Sequence, residues 1–426
     1  MPVLVIIFVF LLLIGMPIVF MLGIVGVVHI IILGNPSFNT VIIQRLFSGV
    51  NQFSLLAIPF FVLAGELMNK GGITEKLVQL SRECVGHFKG GLAYTVVIVS
   101  MLLSAILGSA NAVAAILSSM MVPEMQKDGY EDSFSASLIA SSGIIGPIIP
   151  PSITFIIYGV MTGTSISSLF LAGFVPGIML GISYIIIIRL YSVRKQFPKS
   201  IESFDLINVM KSFFYSIPAM LTPLVIVGGV LTGIFTPTEA GAVAVMIAFF
   251  TGFFIYKTLK ISELPGMILR ASIVTSGIML IVAFGNILGW TLAIEQIPMK
   301  LTAAITGFTQ NKYLILLLII ILLLAVGCVM EAFATQIIFT PVLFPLALSI
   351  GLDPVHFGII FSVLISIALI TPPVGMCLFV TSNVTGVPLS SLSKSIWPFV
   401  ISSFVVLFTI SYLPGIVMFL PNLFGK

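Results

Sequence analysis

Two short stretches hold the residues best placed to do chemistry. The first is Gly146–Ser152, with Pro147, Pro150 and Pro151; the second is Thr371–Gly375, with Pro372 and Pro373. Both lie deep in apolar sequence. Proline inside a helix removes a backbone donor and clashes with the preceding turn. In hydrocarbon the freed carbonyls cannot turn to water, so broken backbone survives there only where protein or a wet cavity surrounds it. Freed carbonyls are hard oxygen donors that suit a dehydrated cation such as sodium. The N-termini of the flanking half-helices present N–H groups and a positive dipole end, which suit an anion. Ahead of each break lies a pair of short apolar segments with a small or polar tip between them. The first tip is Gly108–Asn111, carrying Ser109 and Asn111; the second is Gly327–Glu331. Two tips and two breaks outline two pseudo-symmetric sites.

Each residue also has a plainer reading. Glu331 lies inside the apolar region 313–348, where an acidic group is costly and usually functional. It either partners a cation or locks the hairpin tip as a neutral, hydrogen-bonded carboxyl. Ser109 and Asn111 also fit as small residues at a helix interface. A single proline pair fits as a kink, but its recurrence at 372–373 argues for more. Thr335, Thr371 and Thr381 offer hydroxyl oxygens, although bonding back to the preceding turn is the ordinary fate of each. Glu66 and Glu239, near helix ends, read as structural. His356, following "GLDP", reads as interfacial.

The elements that must position these residues follow from composition. The chain has 426 residues, 59% hydrophobic and 8% charged, with mean hydropathy +1.26. Soluble domains carry roughly 25% charged residues. Residues 2–44 and 313–329 contain no Asp, Glu, Lys or Arg, and a bilayer core needs ~20 apolar residues per helix. The expected fold is an all-α polytopic membrane protein. Its apolar runs are continuous, unlike the alternating strands of a membrane β-barrel. The first segment reads as no cleavable signal peptide, since it lacks a basic start and runs on past Leu33. A net charge of +4 spread over loops implies no nucleic-acid surface. Cys84, Cys328 and Cys377 are unclustered, and His29, His87 and His356 lie far apart. They offer no disulfide framework, metal motif or catalytic Ser–His pair, so no enzyme is expected.

Apolar segments fall near 3–15, 17–33, 53–68, 91–107, 112–125, 133–160, 168–188, 213–232, 236–256, 268–293, 313–328, 332–348, 355–383 and 396–418. The segment 3–33 reads equally as one kinked helix or two. An offset of 222 aligns residues 109–176 with 331–398 without a gap. It carries Pro123 to Pro345, Gly129 to Gly351, Pro150 to Pro372, Pro151 to Pro373 and Pro176 to Pro398, and Ser109 to Glu331. The chain therefore divides into repeats at 1–200 and 201–426. The first holds hairpin 91–125 and broken helix 133–160; the second holds hairpin 313–348 and broken helix 355–383. Each also has scaffold helices and an interfacial arm, expected at 69–90 and 257–267. Lys70, Lys76, Arg82 and Lys89, and then Arg189, Arg194, Lys195, Lys199 and Lys211, mark two cytoplasmic stretches by the positive-inside rule. The two hairpins then dip in from opposite faces. Inverted repeats with broken helices are the pattern of secondary transporters.

The residues resemble a known family. "LGSANAVAAILSSMMVPEM", "GPIIPPSITFIIYG", "TPTEAGAVAV", "FTPVLFPLA", "GLDPVHFGII" and "TPPVGMCLFV" are similar to the large membrane subunit of tripartite ATP-independent periplasmic (TRAP) transporters, over essentially the whole chain. The resemblance implies a sodium-coupled importer of organic-acid anions working by an elevator motion. It also implies two partners, a small four-helix membrane subunit and a periplasmic substrate-binding protein, and a place in the bacterial inner membrane. By the same resemblance, Na+ sites map onto Ser104, Gly108, Ser109, Asn111, Pro150 and Ser152 in one half. In the other half they map onto Gly327, Glu331, Thr371, Pro373 and Gly375. The substrate is assigned to Ser109, Asn111, Ser152, Thr154, Glu331 and Thr335. Many dicarboxylate members carry an aspartate where this chain has Glu331, which turns the expectation toward sialic acid, with C4-dicarboxylate as the other choice. Two rivals stand beside this reading. One is a self-sufficient sodium–carboxylate symporter needing no binding protein. The other is an ion channel, for which rotational symmetry about one pore would be the expected sign.

Overall fold

The computed structural model describes residues 2–34, 38–194, 197 and 204–424. Lys195 and Lys199 of the second positive stretch lie outside the described residues, as does the side chain of Arg194. All regular structure among the described residues is helical. The first half runs α1 (Pro2–Leu13), α2 (Ile18–Ile32), α3 (Phe38–Val50), α4 (Ala57–Lys70), α5 (Ile73–Val85), α6 (Gly91–Leu107), α7 (Ala110–Lys127), α8 (Asp132–Gly143), α9 (Ile153–Thr162) and α10 (Ile166–Arg194). The second half opens with α11 (Leu206–Leu231), α12 (Pro237–Phe250), α13 (Leu264–Ile294), α14 (Ile297–Phe308) and α15 (Lys312–Gly327). It continues with α16 (Ala332–Ser349), α17 (Pro354–Ala368), α18 (Met376–Thr385), α19 (Leu389–Ser395), α20 (Trp397–Tyr412) and α21 (Pro414–Phe424). Among the described residues, six helices are long and apolar enough to cross a bilayer; most of the shorter ones belong to the hairpins and broken spans.

The offset of 222 holds in the helices. It carries the bounds of α7 onto those of α16, and the first residue of α8 onto that of α17. Gly129 and Gly351, at equivalent turns, have φ of 85° and 77°. Prolines and caps set these boundaries. Pro354 stands at the first position of α17, where its missing N–H costs nothing. Asp353 caps the same helix, accepting from Val355 N at 2.8 Å and His356 N at 3.1 Å. Thr236 and Glu239 form a reciprocal capping box on α12.

One open choice is resolved and two features differ from the sequence expectations. Residues 3–33 form two helices, separated where Gly15 takes φ 77° and Pro17 starts a new segment. Helix α3 was not expected, because Gln44 and Arg45 interrupt its apolar pattern. The arm expected at 257–267 is absent there. Lys257 sits at φ 57°, Thr258 and Leu259 bond back to Gly252 O, and a short turn at Ile261–Glu263 runs straight into α13. The helix in the arm's place is α14. It follows a second left-handed residue, Gln296 at φ 55°. The charges of 257–263 belong to a tight turn, which leaves no length for an amphipathic face.

Side-chain contacts give the helix directions. Arg270 Nε, early in α13, donates to Glu66 Oε2, late in α4, at 2.9 Å, so these two helices are antiparallel. Thr238 at the start of α12 donates to Phe53 O, just ahead of α4, at 2.9 Å. Ser216, early in α11, reaches Lys76 O in α5 at 3.2 Å. Ser192, late in α10, reaches Lys89 O ahead of α6 at 3.2 Å. Hairpin α6–α7 therefore opens from the Lys70 end of α4. Hairpin α15–α16 follows α13 and opens from the Phe53 end. Helices α8 and α17 are buried along nearly all of their length; α17 is largely apolar, whereas α8 buries small residues, among them Ser135, Ser137, Ser141 and Ser142. They form the centre on which both hairpins pack.

Candidate ion and substrate site

In the first half, α6 ends at Gly108 with φ 58°. A Cβ there would stand 3.0 Å from Pro151 O. Glycine is thus required both for the left-handed turn and for the close approach of the tip to the proline turn. From the other side, a Cβ on Gly146 would stand 3.0 Å from Ser109 O. Within the break, Ser152 donates to Pro147 O at 2.5 Å and accepts from Phe155 N at 3.3 Å, capping α9. Ser104 donates to Ser100 O at 2.5 Å. Among the described residues, the carbonyls of Ile149, Pro150 and Pro151 accept no protein hydrogen bond.

The second half repeats the construction with different bonds. A Cβ on Gly327 would stand 2.7 Å from Ala368 Cβ, so this hairpin also closes on its broken helix through glycine. Gly375 N, at φ 62°, donates to Cys328 O at 3.3 Å and stitches tip to proline turn. Thr371 bonds back to Ile367 O at 2.8 Å, and Thr335 to Glu331 O at 3.0 Å. Among the described residues, the carbonyls of Ile370, Thr371, Pro372 and Pro373 accept no protein hydrogen bond. Both the Pro150–Pro151 and the Pro372–Pro373 peptide bonds are cis.

The two helix N-termini at the tips are not equivalent, contrary to the symmetric expectation. Glu331 Oε2 accepts from Phe333 N at 2.9 Å and Ala334 N at 3.3 Å, so the carboxylate caps α16 itself. Ser109 stands at the same position of α7 and its side chain makes no capping bond. The N–H groups at the start of α16 are taken by the protein's own carboxyl, while those of α7 meet no capping side chain. Ser109 lines a cavity of about 340 Å³, with Leu107 and Phe333 on its own side and Glu66, Asn69 and Ile278 opposite. This crevice lies toward the Lys70 end of α4.

Two of the bonds between the repeats fall at the site residues. Cys377 Sγ of α18 donates to Asn111 Oδ1 of α7 at 3.2 Å. Gln336 Nε2 of α16 donates to Thr154 O of α9 at 2.8 Å. Asn111 and Thr154 thus hold the halves together through these bonds. Gln336 was missed in the sequence, although an amide in the apolar run 332–349 was the available signal. Thr381 is buried and its hydroxyl has no partner among the described residues. His356 is buried within the protein, with Nε2 2.8 Å from Ile410 O of α20.

The described residues hold no cluster of His, Cys, Asp or Glu able to bind a metal. Sodium, as a hard cation, takes oxygen ligands instead. The unpaired carbonyls at 149–151 and 370–373, with the hydroxyls of Ser152 and Thr371, are a donor set of that kind. The residues therefore fit the ion.

The sequence pattern of the DctM component of tripartite ATP-independent periplasmic transporters matches residues 4–416. The chain belongs to this family. It is a TRAP large permease and a multi-pass protein of the inner membrane, with transport rather than catalysis as its work. It is 37% identical over 404 residues to the C4-dicarboxylate TRAP transporter large permease protein DctM of Pseudomonas aeruginosa, covering 95% of this chain and 94% of that one. It is 36% identical over 411 residues to the sialic acid TRAP transporter large permease protein SiaM of Vibrio cholerae, covering 96% of each. In fold, the permease is similar to the YdaH transporter of Alcanivorax borkumensis, with TM-score 0.62 at 15% identity over 89% of this chain and 90% of that one.

Proposed function

We propose that the permease imports a small organic-acid anion coupled to sodium, by an elevator motion of the hairpin-bearing half against the scaffold helices α4, α11, α12 and α13. The observation that carries this is the pairing of each hairpin tip with a proline turn whose carbonyls are left without protein donors. One Na+ site would be held at 149–152 against Gly108 and Ser109, the other at 370–375 against Gly327 and Glu331. Each ion supplies positive charge beside the cavity. The open N-terminus of α7, at Ser109, then takes the anionic group of the substrate.

The positive residues around Lys70 and Lys211 support a cytoplasmic position for that face. The crevice that reaches Ser109 opens on the same side, which fits an inward-facing arrangement. Sialic acid is the first substrate to test and a C4-dicarboxylate the second. Relatives carry both names, and both acids present a carboxylate. The carboxylate of Glu331 is engaged by its own helix, so its length does not choose between them. The family is one of tripartite systems, which supports a small four-helix membrane subunit and a periplasmic binding protein as partners. Uptake by the reconstituted complex, with and without the binding protein, tests this reading. It expects uptake only with the binding protein present. Equal uptake without it would favour the self-sufficient symporter.

A further inference from the structure

A second crevice between the halves lies at the opposite end of α4. It is a cavity of about 520 Å³. One wall is scaffold, with Arg45 of α3 and Asn286 and Trp290 of α13; the other is the hairpin-bearing half, with Met161 of α9 and Pro341 of α16. Among the described residues, Arg45 is the only charged one lining it. Among the described residues Arg45 is paired with no carboxylate. Its guanidinium stands 5.9 Å from the centre of the Trp290 ring, a contact that orients the group while leaving its N–H donors free.

The backbone beneath is fixed. Asn286 Nδ2 donates to Arg45 O at 2.8 Å and to Ser48 Oγ at 3.2 Å. A Cβ on Gly49 would stand 2.9 Å from the Asn286 side chain, so α3 lies tight against α13 here. The result is a held cation, backed by an aromatic ring, facing a recess of ligand size. Guanidinium matches a carboxylate through two parallel hydrogen bonds. A recess of this volume is in the range of small-molecule pockets, and Val160, Met161, Ile337 and Pro341 of its wall belong to the part that would move. Both features favour a small acid over the acidic face of a protein.

We propose that Arg45, backed by Trp290, is a waiting site for the substrate carboxylate at the outer mouth of the permease, filled before the transport site itself. This rests on the reading that the substrate is an organic-acid anion. The test uses the whole complex with its partners, and N-acetylneuraminate and succinate as probes. Arg45→Gln is expected to slow initial uptake by about 10-fold, as the loss of a charge-assisted hydrogen bond would, in complex assembled at the wild-type level. Arg45→Lys is expected to keep most of the rate. Arg45→Cys, in a background without Cys84, Cys328 and Cys377, separates charge from shape. Outside treatment with the cationic aminoethyl methanethiosulfonate is expected to raise its uptake, and the anionic sulfonatoethyl reagent to lower it. Wild-type rates in Arg45→Gln, or the same rate after both reagents, would overturn the inference. Wild-type complex that moves neither acid would instead overturn the functional reading, and this inference with it.

Discussion

Glu331 and Ser109 hold the same place in the two repeats, one at each hairpin tip, yet only Glu331 caps its own helix. A carboxylate spans the distance to two backbone N–H groups; the serine hydroxyl does not make that bond here. One tip is self-neutralised and the other is left positive. A fold with two similar halves thereby gains one end suited to an anion.

Glu331→Gln keeps the acceptor for Phe333 N and removes the charge. The hairpin is expected to form, since charge at a helix N-terminus is worth only ~0.3–1 kcal/mol. Uptake is expected to fall about 10-fold or more, with a higher sodium concentration needed for half-maximal rate, because bonds to a charged group are worth ~1.5–3 kcal/mol. Ser109→Ala is expected to act in the same direction more mildly. Normal uptake and unchanged sodium dependence in Glu331→Gln would leave Glu331 as a structural lock alone.

Gln336→Leu removes the side-chain donor that reaches Thr154 O from the other repeat, in a fully buried place. A neutral buried hydrogen bond is worth ~0.5–1.5 kcal/mol. Thermal unfolding of the purified protein is expected at lower temperature, and Gln336→Glu, which has no side-chain N–H to offer, is expected to be no better. An unshifted unfolding temperature in Gln336→Leu would show that the cross-repeat bond adds nothing.

Gly108→Ala and Gly163→Ala separate backbone strain from contact. Both glycines are left-handed, at φ 58° and 71°, but a Cβ meets Pro151 O at 3.0 Å in the first and open space in the second. Each substitution carries the ~1–2 kcal/mol cost of that conformation. Only Gly108→Ala is expected to lower uptake further, by pushing the tip off the proline turn. Equal loss from both would mean that the contact is incidental.

Much of this architecture was legible in sequence because proline and glycine are positional. The same offset that aligned Pro150 with Pro372 also carries Ile73–Val85 onto 295–307, nearly the bounds of α14, so the true arm was within reach. It was overlooked because a charged stretch at 257–263 looked more like an interface than the weakly polar 297–308 does. Helix α3 was hidden by its own polar residues. The bonds Gln336–Thr154 and Cys377–Asn111 join residues 182 and 266 apart. Which buried side chains face each other across two repeats is set by packing, and periodicity alone does not reveal it. The asymmetry at the tips was hidden for the same reason, since a glutamate in a cap and a glutamate on an ion read alike in one dimension.

Single cysteines at Lys70, Lys257 and Lys300, in a background without the native three, test the helix directions. All three positions are exposed. An impermeant thiol reagent outside intact cells is expected to label Lys300→Cys and to spare Lys70→Cys and Lys257→Cys. Labelling of Lys300→Cys together with Lys70→Cys would contradict the antiparallel relation of α4 and α13 across a membrane.

Sodium coupling is the central claim, and one measurement tests it most directly. The complex is reconstituted into proteoliposomes with its binding protein outside, and uptake of N-acetylneuraminate and of succinate is followed under an inward sodium gradient or an inward proton gradient. The proposed function predicts uptake of at least one acid that requires the sodium gradient and is lost when potassium replaces sodium. Undiminished uptake driven by protons with no sodium present would contradict it.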